Sequence, residues 1–178
     1  MRYLAVLLVS VFAAVGLAAT TLLATSPAAE AAGGGDVKRC GGGMIFLNAD
    51  EKQTFALHNR ERRDRNMTAL CVHPDLQKAA RSHSKDMIQR DYFSHDMKGR
   101  NESSCQRIRR FGYHWHACGE NTGYDSTRNK MLNAWMRSSG HQRNILNGKF
   151  REVGIGAYTG NYKGFKTTMY TADFGARR

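Results

Sequence analysis

The chain has 178 residues, with 27 Lys and Arg against 15 Asp and Glu, and a formal net charge of +12. This balance favours anionic partners such as cell-wall polymers or lipid surfaces, although scattered basic residues can also simply keep a surface solvated. Residues such as Arg107, Arg109 and Arg110 follow no recognisable reading motif. The sequence therefore argues against nucleic-acid binding.

The N-terminus has the order of a secretory signal peptide, predicted over residues 1–31. Met1-Arg2 is followed by an apolar run from Tyr3 to about Ala24, and Ala29-Glu30-Ala31 forms a small-residue cleavage site. The apolar run is also long enough to span a bilayer, so an uncleaved membrane anchor is the alternative. Cleavage leaves roughly 150 residues of secreted protein, enough for one domain with a packed core.

The cysteine pattern indicates two disulfides in an oxidising compartment. Four cysteines follow the predicted signal segment, and four cysteines allow three connectivities. We expect Cys105–Cys118, which closes a short loop, and Cys40–Cys71, which ties the N-terminal extension to the domain. No CxxC pair occurs, so neither a zinc knuckle nor a thioredoxin-like redox pair is indicated.

The first half of the mature chain predicts a linker and two long helices. Residues 32–47 are rich in glycine and are predicted as a linker. Asn48 and Glu51 have the spacing of a capping box, which starts a helix to about Asp64. Pro74 starts a second helix that ends near Arg90. One face of that helix is apolar and includes His83, which is expected to be a core histidine bonded to backbone.

The second half predicts shorter helices and then a β-hairpin. Helices are expected over 105–111 and 129–136, the latter stopped by Ser138-Ser139-Gly140 so that His141 is presented at a helix-terminal turn. His114 and His116 share one side of an extended segment, as either a metal pair or, in the favoured interpretation, a solvated strand edge. Two β-like runs over 153–158 and 165–174 flank a turn. Helices followed by a hairpin indicate the α+β class.

A series of short motifs occurs in order along the chain and resembles one family. The motifs are Asn59-x-x-Arg62, Leu76-x-x-Ala-Ala80-x-x-His83-Ser-x-x-Met87, Tyr92-Phe-Ser-His95, Gly119-Glu-Asn121, Trp135-Met-x-Ser-x-Gly-His141-x-x-Asn-Ile-Leu146, Gly154-x-Gly156 and Asp173-Phe-Gly175. They resemble the CAP superfamily of cysteine-rich secretory, antigen 5 and pathogenesis-related 1 proteins, whose module is also called the SCP-like extracellular domain. The resemblance is strongest to the bacterial branch and covers residues 48–175.

The resemblance implies an α-β-α sandwich with a small antiparallel sheet between helical layers and a cleft on one face. In many members two histidines and two glutamates line that cleft, and in some the histidines hold zinc. His95 and His141 match the two histidines, and Glu120 matches the first glutamate. Ser138 stands at the usual position of the second glutamate, so the site is incomplete by the fuller family pattern.

The chemistry of these groups leaves two functions open. Two neutral imidazoles and a carboxylate can ligate zinc, or the carboxylate can instead fix one histidine by a hydrogen bond. With one carboxylate missing, we expect at most weak zinc binding by His95, His141 and Glu120. The favoured function is a secreted, non-enzymatic module that binds a small apolar or cell-wall ligand. The alternative is a metal-dependent hydrolase, peptidase or lipid-cleaving, with Glu120 as the general base.

Overall fold

The computed structural model describes residues 33–177, so the predicted signal peptide over residues 1–31 lies outside the described residues. No helix among the described residues is both long and apolar enough to cross a membrane. The elements within residues 33–177 are β1 (Gly35–Lys38), β2 (Met44–Leu47), α1 (Ala49–Arg63), β3 (Cys71–Val72), α2 (Pro74–Gln89), α3 (Ser104–Arg110), β4 (Ala117–Asp125), α4 (Arg128–Arg137), α5 (Ser139–Ile145), β5 (Glu152–Tyr162) and β6 (Phe165–Ala176).

The glycine-rich segment before Asn48 is a β-hairpin, not the linker predicted over 32–47. β1 pairs with β2 in antiparallel register, with Gly35 opposite Leu47. The turn between them holds Gly41, Gly42 and Gly43 at φ angles of 75°, 96° and 78°, which are accessible to glycine without steric cost. The glycines therefore encode a tight turn, which composition alone does not distinguish from a flexible linker.

The main sheet has four strands in the order β3-β5-β6-β4. β6 pairs in antiparallel register with both β5 and β4. The β5–β6 pairing confirms the predicted hairpin and extends it to Tyr162 and Ala176. β3 adds a two-residue parallel pairing, Cys71 opposite Glu152, that is too short to leave a periodic pattern. The α+β class and the sandwich architecture are confirmed.

Helices cover both faces of this sheet. α1, α4 and α5 contribute Leu57, Trp135 and Ile145 to a core shared with residues of β5 and β6 that include Ile155 and Phe174. Alternate residues of the same strands face α2, because successive side chains of a strand point to opposite faces. The layer of α1, α4 and α5 is therefore packed through apolar side chains.

The layer of α2 lies almost directly on the sheet backbone. A Cβ atom added to Gly154 would overlap the backbone of Leu76 and Gln77, and one added to Gly156 would overlap the backbone of Ala80. The hydroxyl of Ser84 donates to the Gly156 carbonyl at 3.1 Å and thereby fixes the same contact. The two glycines are therefore required by the close approach of α2, not by a turn.

The predicted helix starts are confirmed, as is the end of the helix predicted over 129–136, which the structure places at Arg137. The role predicted for Gly140 in ending this helix is wrong. Asn48 and Glu51 form the reciprocal capping box, with both side-chain-to-amide bonds at 2.9 Å. Gly140, expected to stop a helix, lies inside α5 and has no positive φ. The helix is instead interrupted at Ser138, whose extended backbone (φ −93°, ψ 118°) separates α4 from α5. His141 therefore lies in the first turn of a short helix, not after a helix end.

Both predicted disulfides are confirmed. Cys40 is bonded to Cys71 with Cα atoms 5.3 Å apart, which attaches the β1–β2 hairpin to β3. Cys105 is bonded to Cys118 with Cα atoms 6.0 Å apart, which attaches α3 to the start of β4. Each bridge thus joins a short peripheral element to a strand of the main sheet.

We predict that Gly156→Ala destabilises the domain by about 1–3 kcal/mol, because the new methyl group forces α2 away from the sheet. Denaturant unfolding under non-reducing conditions measures the change. Gly140→Ala is the matched control, since no heavy atom lies within 4 Å of its added Cβ. Inside a helix this change is neutral or stabilising by about 0.5–1 kcal/mol. Equal losses in the two variants would contradict the close-packing argument.

Candidate functional site

His95 and Glu120 form the centre of the site. His95 lies in the loop after α2, and Glu120 lies on the face of β4 that is turned toward α2. His95 Nδ1 is 2.6 Å from Glu120 Oε1. The Glu120 side chain is 1% exposed, whereas the His95 side chain is 55% exposed. A buried carboxylate therefore orients an imidazole that reaches the surface.

Arg107 is the second partner of Glu120. Its guanidinium donates to Glu120 Oε2, lies 3.5 Å from Asp173 Oδ1 and donates to the backbone carbonyl of His95 at 3.0 Å. The side chain is fully buried, which corrects the expectation that Arg107 belongs to a solvated basic surface. The Cys105–Cys118 disulfide attaches the helix that carries Arg107 to the strand that carries Glu120.

These contacts set the charges of the pair that reaches the cleft. Burial alone would raise the pKa of the Glu120 carboxyl, but the hydrogen bond to His95 and the charge of Arg107 outweigh it and hold that pKa below its usual value. The hydrogen bond to Glu120 is the main cause that raises the pKa of His95, against partial burial. Glu120 is thus ionised at neutral pH and favours the protonated form of His95.

The pKa values of two further ionisable groups beneath the site are shifted in the direction that favours the neutral form. Burial raises the pKa of the Asp173 carboxyl well above its usual value, and the charge of Arg107 offsets this only in part. Burial and the Arg107 charge lower the pKa of His83 to about 4. His83 is the core histidine that was predicted: it is fully buried, and its Nε2 is 2.8 Å from the Ser94 carbonyl. This bond fixes the loop next to His95.

Trp135 and Asn144 position His141 at the free edge of β4. The Trp135 indole donates to the carbonyl of Thr122 at 3.2 Å, and the Asn144 amide donates to the carbonyl of Glu120 at 3.0 Å. Asn121 in turn donates to the His141 carbonyl at 2.9 Å. α5 is therefore held against the outer strand of the sheet, with His141 beside the loop that carries His95.

A cleft of about 400 Å³ opens between this loop and α5. Its lining residues are Phe93, Ser94, His95, Asp96, Thr122 and His141. Partial burial and the charge of His95 lower the pKa of His141, which is opposite to the shift of His95. One imidazole therefore holds its proton to higher pH, whereas the other loses it at lower pH.

The three predicted metal ligands do not converge on one point. Within residues 33–177 one group of three His, Cys, Asp or Glu residues has its donor atoms all within 4.8 Å of one another, and it consists of Cys40, Cys71 and Glu152. That group contains a disulfide, so its sulfurs are not thiolate ligands. His95 and His141 line the same cleft, whereas both carboxylate oxygens of Glu120 are bonded to His95 and Arg107.

Sequence reasoning missed Arg107 as part of the site. Its neighbour Ile108 is the apolar residue of a short basic segment and is also fully buried. Ile108 lies one helical turn after the disulfide-bonded Cys105. This spacing could have indicated that this side of α3 faces the core. Asp173 and Asn144 were inside recognised motifs, yet residue type alone did not assign them a contact.

Comparison with known proteins identifies the family. Residues 55–174 match CAP, the cysteine-rich secretory protein family. The chain belongs to this family. The CAP domain also matches the Bacillus subtilis protein YkwD, with 34% identity over 111 residues, and the B. subtilis membrane protein YlbC, with 29% identity over 117 residues. These matches cover 62% and 63% of the present chain but only 43% and 34% of the two relatives.

Solved structures show the same fold outside the cell. An extracellular SCP-domain protein of Bacillus anthracis aligns with a TM-score of 0.63 and 26% identity, over 76% of this chain and 47% of its own. An outer surface protein of Borrelia burgdorferi aligns with a TM-score of 0.63 and 19% identity, over 82% of this chain and 99% of its own. The second match supports the fold alone, and the first also supports a bacterial CAP domain.

We predict that Glu120→Gln lowers the pKa of His95, because the variant keeps the shape of the side chain and removes its negative charge. NMR titration of the imidazole signals measures the shift. His73 is the internal control, since its pKa depends on burial, Glu152, Arg177, Asp75 and Arg39. An unchanged His95 titration would contradict the assigned role of Glu120.

The same titration has a consequence for stability with a defined sign. The pKa of His95 is raised in the folded state, so its stabilisation is fully present below the ordinary histidine pKa and is lost as the pH rises through the folded value. This part of the pH dependence is expected to be absent from Glu120→Gln.

We predict that replacing Arg107 alone lowers the free energy of unfolding more than replacing both members of the Arg107–Glu120 ion pair. Arg107→Met leaves a buried carboxylate without its cation, at a cost of about 3–5 kcal/mol, whereas the double variant Arg107→Met/Glu120→Gln leaves no unpaired charge. Urea unfolding of Arg107→Met, Glu120→Gln and the double variant measures the coupling. Arg109→Met, on the exposed side of α3, is the control. It removes only the contact of Arg109 with the Trp115 ring and should lower the free energy of unfolding by less than about 1 kcal/mol. Strictly additive losses would exclude the proposed ion pair.

Proposed function

We propose that this CAP domain is an exported binding module whose cleft between residues 93–96 and α5 receives a small extracellular ligand. One observation carries the proposal. A buried, ionised Glu120 holds His95 at the mouth of a cleft that His141 also lines. Ligand pockets are usually concave and mostly apolar, with a small number of polar groups that converge on the ligand.

Export of the chain is supported by three independent features. The N-terminal segment has the order of a signal peptide. The two disulfides are typical of proteins that fold in an oxidising compartment. The aligned B. anthracis protein is extracellular. We therefore assign the domain to the outside of the cell, where its positive charge favours contact with anionic envelope polymers.

The two imidazoles fit a weak divalent metal site, whereas the three-ligand set does not. Glu120 takes one ring nitrogen of His95 and leaves Nε2 as the nitrogen available for a ligand. A carboxylate that accepts from the other ring nitrogen is the usual support of a metal-binding histidine. His95 and His141 would hold the ion, and zinc bound there would supply a Lewis-acidic contact for a ligand oxygen. With two protein ligands the affinity is expected to be low.

In the hydrolase alternative, Glu120 is poorly placed to act as the general base. Glu120 was the candidate, but it is buried and its two oxygens are bonded to His95 and Arg107. A general base must reach the proton that it abstracts, directly or through one water molecule. Ser138, at the place of the second family glutamate, offers a hydroxyl and no carboxylate. The arrangement suits binding better than cleavage.

We predict that zinc titrated by calorimetry gives heat that the double variant His95→Ala/His141→Ala lacks. Zinc binding should strengthen as the pH rises through the pKa of His95, because the metal competes with a proton for the imidazole. The double variant His114→Ala/His116→Ala removes two exposed histidines elsewhere and serves as the matched control. Equal heats in the wild type and the cleft variant would exclude the two-histidine metal site.

The hydrolase alternative has its own decisive outcome. Purified mature domain that cleaves peptide or ester substrates, and loses that rate in His141→Ala, would overturn the assignment as a binding module. The proposal expects no turnover above that of the cleft double variant.

A further inference from the structure

Three of the exposed large hydrophobic side chains form one surface strip. Among residues 33–177 the exposed large hydrophobics are Met44, Phe46, Phe93, Tyr124 and Phe165. Phe93 and Tyr124 have ring centroids 5.2 Å apart, and Tyr124 and Phe165 have ring centroids 6.2 Å apart. We call these three residues the aromatic strip. The rings meet edge to face or tilted, and each residue is 40–47% exposed, so part of each ring is open to a ligand.

The aromatic strip is continuous with the cleft. Phe93 is a member of both, since it also lines the cleft beside His95. Thr122 of the cleft and Tyr124 of the strip are two residues apart on β4 and therefore lie on the same face of the sheet. The cleft and the strip form one elongated surface that runs from His141 to the turn between β5 and β6.

The strip is held in place before any ligand binds. Tyr162, only 4% exposed, packs beneath Tyr124 and Phe165 at centroid distances of 5.2 and 5.7 Å. The backbone amide of Lys163 in the β5–β6 turn donates to the Asp91 carboxylate at 2.7 Å, which joins this turn to the loop that carries Phe93. A preformed surface loses little conformational entropy on binding. Exposed aromatic side chains fixed in this way are typical of a recognition surface.

The chemistry along the surface changes from apolar to hydrogen-bonding. The strip offers aromatic rings, and the cleft at its end offers the hydroxyl of Ser94, the carboxylate of Asp96 and two imidazoles. A pyranose sugar has the same two kinds of surface, an apolar C–H face that stacks on aromatic rings and hydroxyls around its edge. A chain of such sugars presents them in repeated succession.

From this match, and resting on the proposed function of the cleft, we propose that the cleft and the aromatic strip together form an extended site for a linear, uncharged glycan. Sugar hydroxyls bond to the cleft groups at one end, and successive pyranose faces stack on Phe93, Tyr124 and Phe165. The surface carries the carboxylates of Asp91 and Asp96 and, beside Tyr162, the ammonium of Lys163. This mixed charge favours an uncharged ligand over an anionic bilayer, which binds to surfaces of positive charge.

The test uses the β-1,4-linked N-acetylglucosamine hexasaccharide and its disaccharide, followed by amide NMR shifts of the full mature domain. The hexasaccharide should shift signals of both the cleft and the strip and bind more tightly than the disaccharide. Phe165→Ser should weaken hexasaccharide binding by about tenfold, the loss of one stacking contact, and leave disaccharide binding unchanged. Met44→Ser/Phe46→Ser removes exposed apolar surface elsewhere and should change neither affinity.

Two results would contradict the glycan proposal, and a third would replace the glycan by a lipid surface. No saturable shift with either saccharide overturns the glycan proposal, as does equal weakening by Phe165→Ser and Met44→Ser/Phe46→Ser. Sedimentation of the wild type, but not of Phe165→Ser, with phosphatidylglycerol-containing vesicles would replace the glycan by a lipid surface. The zinc titration reports on His95 and His141 alone, so the strip variants should leave it unchanged. Failure of the glycan proposal is thereby distinguished from failure of the cleft assignment.

Discussion

The site depends on a carboxylate placed where water cannot reach it. An isolated ionised Glu120 in this position would cost several kcal/mol, and the cost is offset because Arg107 and His95 each bond one of its oxygens. Arg107 can reach Glu120 only if α3 lies against β4, and the Cys105–Cys118 bridge keeps it there. The elements around the cleft are therefore arranged so that the buried Glu120 carboxylate has a hydrogen-bonding partner for each of its oxygens.

The ionisable groups beneath the cleft differ in their titration from the two histidines that line it. Arg107 and Glu120 are opposite ions, and burial raises the pKa of the Asp173 carboxyl, which favours its neutral form. His83 also stays neutral near physiological pH. The two imidazoles at the wall of the cleft have pKa values shifted in opposite directions, upward for His95 and downward for His141. A ligand at this wall meets a donor on His95 and a more readily deprotonated imidazole on His141.

Short-range sequence patterns predicted the local structure, but they did not predict which polar side chains are buried by long-range contacts. The capping box at Asn48, the β5–β6 hairpin and the backbone-bonded His83 follow from short-range rules on spacing and polarity, and the structure has all three. Arg107 was assigned to the surface, because nothing short-range distinguishes a buried arginine from its exposed neighbours. Gly140 was read as a stop signal, whereas the extended backbone at Ser138 makes the break. The partners of Glu120 come from sequence-distant elements, so motif order named the residue and only the structure showed that its oxygens are occupied.

The contacts that hold α5 also cover one edge of the main sheet. β4 is the outer strand of its sheet, and an outer strand usually exposes backbone groups that can pair with a strand of another molecule. Here the side chains of Trp135 and Asn144 already occupy the carbonyls of Thr122 and Glu120. An incoming strand would have to displace two hydrogen bonds and a helix before it could extend the sheet. The segment that presents His141 thus also protects the protein against aggregation through its sheet edge.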